Sequence, residues 1–201
     1  MPRPLSHRQA RRGFSLAESL VAISIMGLAS SVLLLAAQGS LETTTDAVDR
    51  TIAAGMAQQL LDEVVGKHFM IPGGNPLDPG FSASAWERGG SGRERFNDTD
   101  DYHGISNKPA EGIWGEALGT GNDSGGQRHP GFKVPTNYFA DWRQRVSVYF
   151  VSANNTSQRL TSGTSYFRCV EVNIERIDRD GSVQPLAQRK RVIAWVPPPT
   201  Y

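Results

Sequence analysis

Cysteine is almost absent from this chain of 201 residues, in which Cys169 is the only one. A single cysteine excludes an intramolecular disulfide and a cysteine-rich zinc site. The four histidines are scattered along the chain without the spacing of metal ligands. The fold must therefore be stable without a disulfide and without a cysteine-rich zinc site.

A large net charge is also missing. The 21 basic and 20 acidic residues give a formal charge of +1, but they are unevenly placed, because residues 1–13 hold four arginines and no acid. The rest of the chain is weakly acidic, which argues against nucleic-acid binding, since that depends on basic residues that neutralise phosphates. A basic tip beside an apolar run instead indicates a segment held on the cytoplasmic side of a membrane.

Complete catalytic motifs are missing as well. The stretch GTGNDSGG at 119–126 has Ser124 where a dinucleotide fingerprint needs glycine, and it has no lysine for a phosphate loop. In GGSGR, Arg93 occupies the last position of a G-x-S-x-G nucleophile motif. Cys169 falls in a predicted strand with no histidine nearby in sequence, as expected of a small buried apolar side chain. We therefore predict that the protein is not an enzyme.

The chain does have a long apolar run near its N-terminus. From Phe14 to Ala37 there are 24 residues, and Glu18 is the only charged one. A helix rising about 1.5 Å per residue would make this run roughly 36 Å long, enough to cross a bilayer core of about 30 Å. A secretory signal peptide and a twin-arginine export signal are two interpretations. The run is too long for the first and very apolar for the second, and neither explains Glu18.

The stretch GFSLAESLVAISIMGLASSVLLL closely resembles the N-terminus of type IV prepilins and of type II secretion pseudopilins. In that family a short basic leader ends in glycine, phenylalanine usually follows, and a glutamate lies four residues later. Gly13, Phe14 and Glu18 match this pattern. The resemblance, which covers residues 1 to about 65, implies that prepilin peptidase cuts between Gly13 and Phe14 and methylates the new amine of Phe14.

A physical argument supports a special role for Glu18. A carboxylate in an apolar helix costs about 2.5–3.5 kcal/mol at mid-membrane on insertion scales, so it needs a partner. Cleavage would create one in the positive amine of Phe14, which shares a helix face with Glu18 at the i,i+4 spacing. In a filament, Glu18 could instead meet the amine of a neighbouring subunit and fix the register. We therefore predict an assembly role; the alternative is a glutamate that faces water at the membrane surface.

Beyond the apolar run, the sequence predicts an α+β, pilin-like fold. A stripe of apolar residues continues the helix as an amphipathic half that ends at Gly66: Leu41, Val48, Ile52, Met56, Leu60 and Val64. Residues 73–131 hold 14 of the 21 glycines together with many aromatic residues, so we predict a long irregular excursion that docks on the body. Three β-rich stretches then predict an antiparallel meander: 145–151, 169–177 and 190–196, with a tight turn at 178–182.

The predicted organisation has five segments. They are a cleaved basic leader at 1–13, a membrane or filament-core helix at 14–40, the amphipathic half of the helix at 41–66, the variable excursion at 67–140 and the antiparallel sheet at 141–201. The order of long helix, variable region and meander matches the pilin architecture, in which the sheet packs on the solvent half of the helix.

One stretch of the excursion suggests a metal site. In FNDTDDYHG, Asp98, Asp100 and Asp101 offer closely spaced oxygen ligands of the kind that Ca²⁺ prefers. The favoured alternative is that the three carboxylates cap turns through bonds to nearby backbone groups. No other cofactor is expected.

Together these features predict a structural subunit, a minor pilin or pseudopilin of a type IV pilus-like or type II secretion filament. The resemblance implies three kinds of partner: prepilin peptidase, other pilins or pseudopilins, and an inner-membrane assembly platform. It also implies a single-pass inner-membrane protein with an extracytoplasmic body. The alternatives are a membrane-tethered binding protein that takes a surface polymer or DNA, and an exported hydrolase with an uncleaved anchor.

Overall fold

A computed structural model describes residues 15–120, 122–123, 126–127, 129, 131, 133–135 and 137–197. The predicted leader, together with Gly13 and Phe14, lies outside the described residues. The elements in chain order are α1 (Leu16–Val65), α2 (Ala85–Arg88), β1 (Ser106–Asn107), β2 (Asn122–Asp123), β3 (Gly126–Gln127), β4 (Trp142–Phe150), β5 (Phe167–Ile177) and β6 (Val183–Ala194). The chain divides into two compact units, Met1–Ala47 and Val48–Tyr201, with the boundary inside α1.

The long N-terminal helix is confirmed. Helix α1 runs for 50 residues without an interior proline. Ser15 precedes it as a favoured N-cap residue, and its Oγ accepts a hydrogen bond from the backbone N–H of Glu18 at 3.2 Å. At the other end, the N–H of Gly66 donates to the carbonyl of Asp62 at 3.0 Å, and the helix ends there as predicted.

In the second unit, one face of α1 is buried against the sheet. Of the predicted stripe, Met56, Leu60 and Val64 are buried, whereas Val48 is 49% exposed and Leu41, in the first unit, is 69% exposed. The prediction failed for Val48 because a strict spacing of four drifts around the helix by about 40° at each step. The observed buried face consists of residues that have a neighbour in the set three or four positions away: Asp49, Ala53, Met56, Ala57, Leu60, Leu61 and Val64.

The C-terminal third forms an antiparallel sheet in the order β1-β4-β5-β6. The three predicted strands are confirmed, and each begins earlier than predicted. The difference is largest for β6, which begins at Val183, because its first residues include Pro185 and few of the β-branched and aromatic side chains that indicate a strand. An edge strand needs no continuous apolar pattern, and a bulge between Ile174 and Glu175 accommodates this stretch.

The predicted turn at 178–182 joins β5 to β6. The N–H of Gly181 donates to the carbonyl of Asp178 at 2.9 Å, and the N–H of Asp178 donates to the carbonyl of Ser182 at 2.9 Å. Gly181 has a φ of +84°, a conformation that glycine adopts without strain. The turn fixes the pairing of the two longest strands.

The core lies between α1 and the inner face of β4 and β5. Val146 pairs with Val172 and Val148 pairs with Val170, so the four side chains lie side by side on one face. All four are fully buried, and they belong to the same core as the buried face of α1. The α+β architecture is therefore that of a helix packed on an antiparallel meander, which is consistent with a pilin-like fold.

Two acidic residues of α1 tie other parts of the second unit to the helix. Glu63 receives two bonds from the guanidinium of Arg93, at 3.0 and 3.1 Å, and a third from the hydroxyl of Tyr102 at 3.0 Å. Asp49 accepts a hydrogen bond from Nη1 of Arg176 at 2.8 Å and another from the hydroxyl of Tyr138. These carboxylates dock the excursion and strand β5 on the helix, as expected for buried charges that need partners.

We expect Leu60→Ala to lower the free energy of unfolding of the detergent-solubilised chain by about 2–5 kcal/mol, because it leaves a cavity in the core. Trp142 is part of the same core, so urea unfolding followed by tryptophan fluorescence measures the change. The control Leu41→Ala removes an exposed side chain and should shift stability by less than about 0.5 kcal/mol. Equal effects of the two substitutions would contradict the observed burial pattern.

Candidate functional site

The first part of α1 has an apolar surface on every side. It contains a stretch long and apolar enough to cross a membrane, and no residue of that stretch is buried. A helix that is apolar all round needs apolar surroundings, unlike the one-sided second part of α1. The exposed large apolar residues are Leu16, Leu20, Val21, Ile23, Ile25, Met26, Leu28, Val32, Leu33, Leu34 and Leu35.

The hydroxyl groups in this segment are satisfied within the helix. Ser24, Ser30 and Ser31 each donate to the carbonyl four residues earlier, at 2.8, 2.8 and 2.9 Å. In a bilayer an unpaired polar group costs several kcal/mol, so this internal bonding makes the serines compatible with lipid. Glu18 is left as the one charged side chain between Leu16 and Ala37.

Glu18 is exposed and occupies the third position of α1. With Ser15 as the N-cap, the sequence Ser15-Leu16-Ala17-Glu18 has the S-x-x-E spacing of a capping box. One half of that motif is present, since the N–H of Glu18 donates to Ser15 Oγ. This N-cap bond of Ser15 was not predicted, although the S-x-x-E spacing is a readable signal for it. A helix start at Leu16 also puts the carboxylate in the first turn, where the helix dipole favours negative charge.

A cut after Gly13 would leave Phe14 directly before the N-cap residue of α1. The new ammonium would then lie at the helix N-terminus, where the dipole disfavours positive charge. A carboxylate in the same turn offsets that repulsion, and Glu18 is the acidic residue of the first turn. Because Gly13 and Phe14 lie outside the described residues, the pairing of Glu18 with this amine stays a prediction.

The Asp-rich loop is held together by its own hydrogen bonds. Asp98 Oδ1 accepts from the backbone N–H groups of Asp100 and Asp101, at 2.8 and 3.3 Å. Asp101 Oδ2 accepts from the N–H groups of Asn97 and Asp98, at 2.9 and 3.2 Å. These are the local bonds by which aspartate stabilises turns.

The third carboxylate, Asp100, pairs with a fully buried arginine. Arg168 donates to Asp100 at 2.6 Å and to the carbonyl of Phe69 at 2.7 Å, and its guanidinium lies 4.2 Å from the ring of Phe69. Burial raises the pKa of Asp100 to about 7, although the charge of Arg168 opposes the rise. Burial also raises the pKa of Asp101 to about 6. The pair with Arg168 anchors the loop to strand β5.

These contacts bear on the predicted calcium site. Asp98, Asp100 and Asp101 lie in one loop, but one oxygen of each carboxylate already accepts bonds from backbone groups or from Arg168. No group of three or more His, Cys, Asp or Glu side chains is arranged to hold a metal in the part of the chain that the structure describes. The geometry corresponds to the turn-capping alternative, and calcium binding stays an untested prediction.

Cys169 and His103 carry side chains of types common in catalysis, and both make contacts within the body. Cys169 is buried in β5, at 4% exposure, as expected of a small apolar side chain. His103 accepts a hydrogen bond at Nδ1 from the backbone N–H of Val148 at 3.0 Å, and burial lowers its pKa. Both residues therefore help to pack the sheet.

Comparison with known proteins identifies the N-terminal segment. The family model described as the prokaryotic N-terminal methylation motif matches residues 8–34. This motif is the signature of type IV pilins and pseudopilins, so the resemblance predicted from the sequence is confirmed for that segment. The motif supports a type IV pilin-like precursor that prepilin peptidase processes, and α1 fits a single-pass membrane anchor. Searches of curated proteins and of solved structures gave no significant match.

We expect the thermal unfolding midpoint to stay the same when Ca²⁺ is added up to millimolar concentrations, or removed by a chelator. The reason is that the three aspartates already hold backbone groups and Arg168, and offer no open shell of oxygen ligands. Differential scanning fluorimetry of the detergent-solubilised chain measures this, with Mg²⁺ as the ionic-strength control. A rise of several degrees with Ca²⁺ but not with Mg²⁺ would restore the calcium site.

Proposed function

We propose that this protein is a structural subunit, a minor pilin or pseudopilin, of a type IV pilus-like or type II secretion filament. Prepilin peptidase removes residues 1–13 and methylates Phe14. The mature protein is held in the inner membrane with its body outside the cytoplasm. An inner-membrane assembly platform then joins it to other pilins or pseudopilins. Its work is assembly, and it has no catalytic role of its own.

The observation that carries this proposal is the first part of α1, which is apolar on every side but has a single carboxylate in its first turn. For a helix that only tethers a body, that acid supplies no more than the first-turn dipole interaction, and burying it in lipid is costly. A signal peptide does not require this carboxylate either. A filament subunit does require a charged group that fixes its register against a neighbouring subunit.

The physics of the membrane explains why one charge matters so much. Lipid tails are as apolar as leucine, so moving α1 from the bilayer into a bundle of similar helices gains little from the hydrophobic effect. Packing and polar contacts decide the association instead. At 4 Å separation, opposite charges attract by about 4 kcal/mol at an effective dielectric constant of 20. A pair between Glu18 and a Phe14 ammonium would therefore set the position of each incoming subunit.

Two features support a minor subunit over a major one. In this family a proline often kinks the membrane half of major pilins, whereas α1 has no interior proline and runs unbroken from Leu16 to Val65. The second feature is the large glycine-rich excursion docked without a disulfide, since the only cysteine is Cys169.

We expect mass spectrometry of the protein isolated from its native cells to find Phe14 as the first residue, with one methyl group on its amine. Intact mass and N-terminal peptide sequencing give this directly. Deletion of the prepilin peptidase should leave residues 1–13 attached. A mature N-terminus near position 37, or an intact leader in wild-type cells, would contradict the proposal.

We expect Glu18→Leu to be inserted and cleaved normally but to be lost from filaments, because the register-setting charge is gone. Quantitative immunoblotting of sheared filaments and of membranes measures the ratio between the two pools, with at least about a tenfold fall expected for the loss of a charge pair. The control is Glu42→Leu, which removes an exposed acid of the same helix outside the apolar run. Normal incorporation of Glu18→Leu would remove the assembly role.

A further inference from the structure

The second unit contains a cavity of about 580 Å³ beside α1. One wall is the helix face that carries Gln59 and Glu63, the opposite wall is the segment 111–118, and Gln144 of β4 also lines it. The volume is in the range of cavities that hold small ligands. None of the residues discussed above for membrane insertion or assembly lies in it.

One buried side chain presents an unused hydrogen-bond donor to this cavity. Gln144 is 3% exposed, and its Oε1 accepts from the backbone N–H of Glu111 at 3.0 Å. That bond fixes which end of the amide is the oxygen, so Nε2 is the end left over. Nε2 donates to no other described residue and is open to the cavity, since Arg168 Nε is the only fully buried side-chain polar atom without a partner among the described residues. The cavity therefore provides a place for an acceptor oxygen of a ligand.

The charge of the lining is negative. Three glutamates line the cavity, Glu63, Glu111 and Glu116, against one arginine, Arg93. Arg93 is committed to Glu63 through two bonds, so that pair is neutral. Glu111 accepts a bond from Asn107 at 2.7 Å, and Glu116 accepts one from the backbone N–H of Trp114 at 3.1 Å, both from neutral donors. Two negative charges are left without a cation among the lining residues.

An aromatic ring completes the lining. Trp114 lies in the segment 111–118 and is 49% exposed. Tryptophan is the best aromatic partner for a cation placed over its face, and guanidinium groups also stack on such rings. The ring of Trp114 and the carboxylates of Glu111 and Glu116 suit a cation, and the free amide donor of Gln144 suits a carbonyl oxygen. Together they fit a ligand that contains both groups.

We propose that this cavity binds an arginine side chain of a partner polypeptide. The guanidinium lies between Trp114 and the carboxylates of Glu111 and Glu116, while Gln144 Nε2 donates to a backbone carbonyl of the same peptide. A neutral sugar would use the ring but would leave both carboxylates uncompensated, and nucleic acid would be repelled by them. The proposal does not depend on the filament role, since a tethered binding protein could use the same site.

The test uses the full chain in detergent micelles and small probes. N-acetyl-arginine amide carries the guanidinium and the carbonyl, N-acetyl-citrulline amide is its neutral isostere, and butylguanidinium has the same single cation without the carbonyl. Ligand-observed NMR titrations give the dissociation constants. We expect the arginine probe to bind at least about tenfold more tightly than citrulline, and butylguanidinium to fall between the two. Equal binding of arginine and citrulline, or no binding of either, would overturn the proposal.

Variants locate the site. The double variant Glu111→Gln/Trp114→Ala keeps the acceptor for Asn107 and should weaken binding of the arginine probe about tenfold, as the sum of two modest contacts. The matched control Glu42→Gln/Trp86→Ala changes an exposed acid and an exposed tryptophan outside the cavity, and should leave the affinity unchanged. Equal weakening by both double variants would mean that the probe binds elsewhere, and it would also overturn the proposal.

Discussion

The second unit depends on the contact between one face of α1 and the inner face of the sheet. Ala53 and Ala57 are fully buried on that helix face, and Val146 and Val172 are fully buried on the sheet. These residues belong to one hydrophobic core, and the close packing of such a core is what stabilises an interior. Every other feature of this unit is attached to that contact, including the docked excursion and the cavity.

Buried ion pairs then determine how the irregular excursion is held. Few of the described residues between 66 and 141 lie in a helix or a strand, yet Arg93 and Tyr102 are almost fully buried, and both bond to Glu63 of the helix. Arg168 anchors the Asp-rich loop in the same way from β5. Each pair bridges parts that are distant in sequence, and breaking one would leave an uncompensated buried charge. These contacts attach the described part of the excursion to the helix and to strand β5.

The two parts of α1 illustrate how one element can meet two requirements. Its first part is exposed and apolar on every side, with the serine hydroxyls bonded within the helix and a single acid at the start. Its second part buries one face and carries acids that bind the body. The N-terminal methylation motif covers only the first part, at residues 8–34. The remainder of the chain has to be understood from its packing.

The sequence by itself determined the elements whose signal is local. These are the apolar run with Glu18, the helix end at Gly66, the three β-rich stretches and the turn at Gly181, because each depends on periodicity, composition or a single backbone conformation. Tertiary structure alone decided which face of α1 is buried, how far β6 extends toward Val183 and where the partners of Glu63 and Arg168 come from. It also decided that Gln144, Glu111 and Trp114 share a cavity, since contacts between residues tens of positions apart follow from the folded arrangement and leave no pattern in the linear chain.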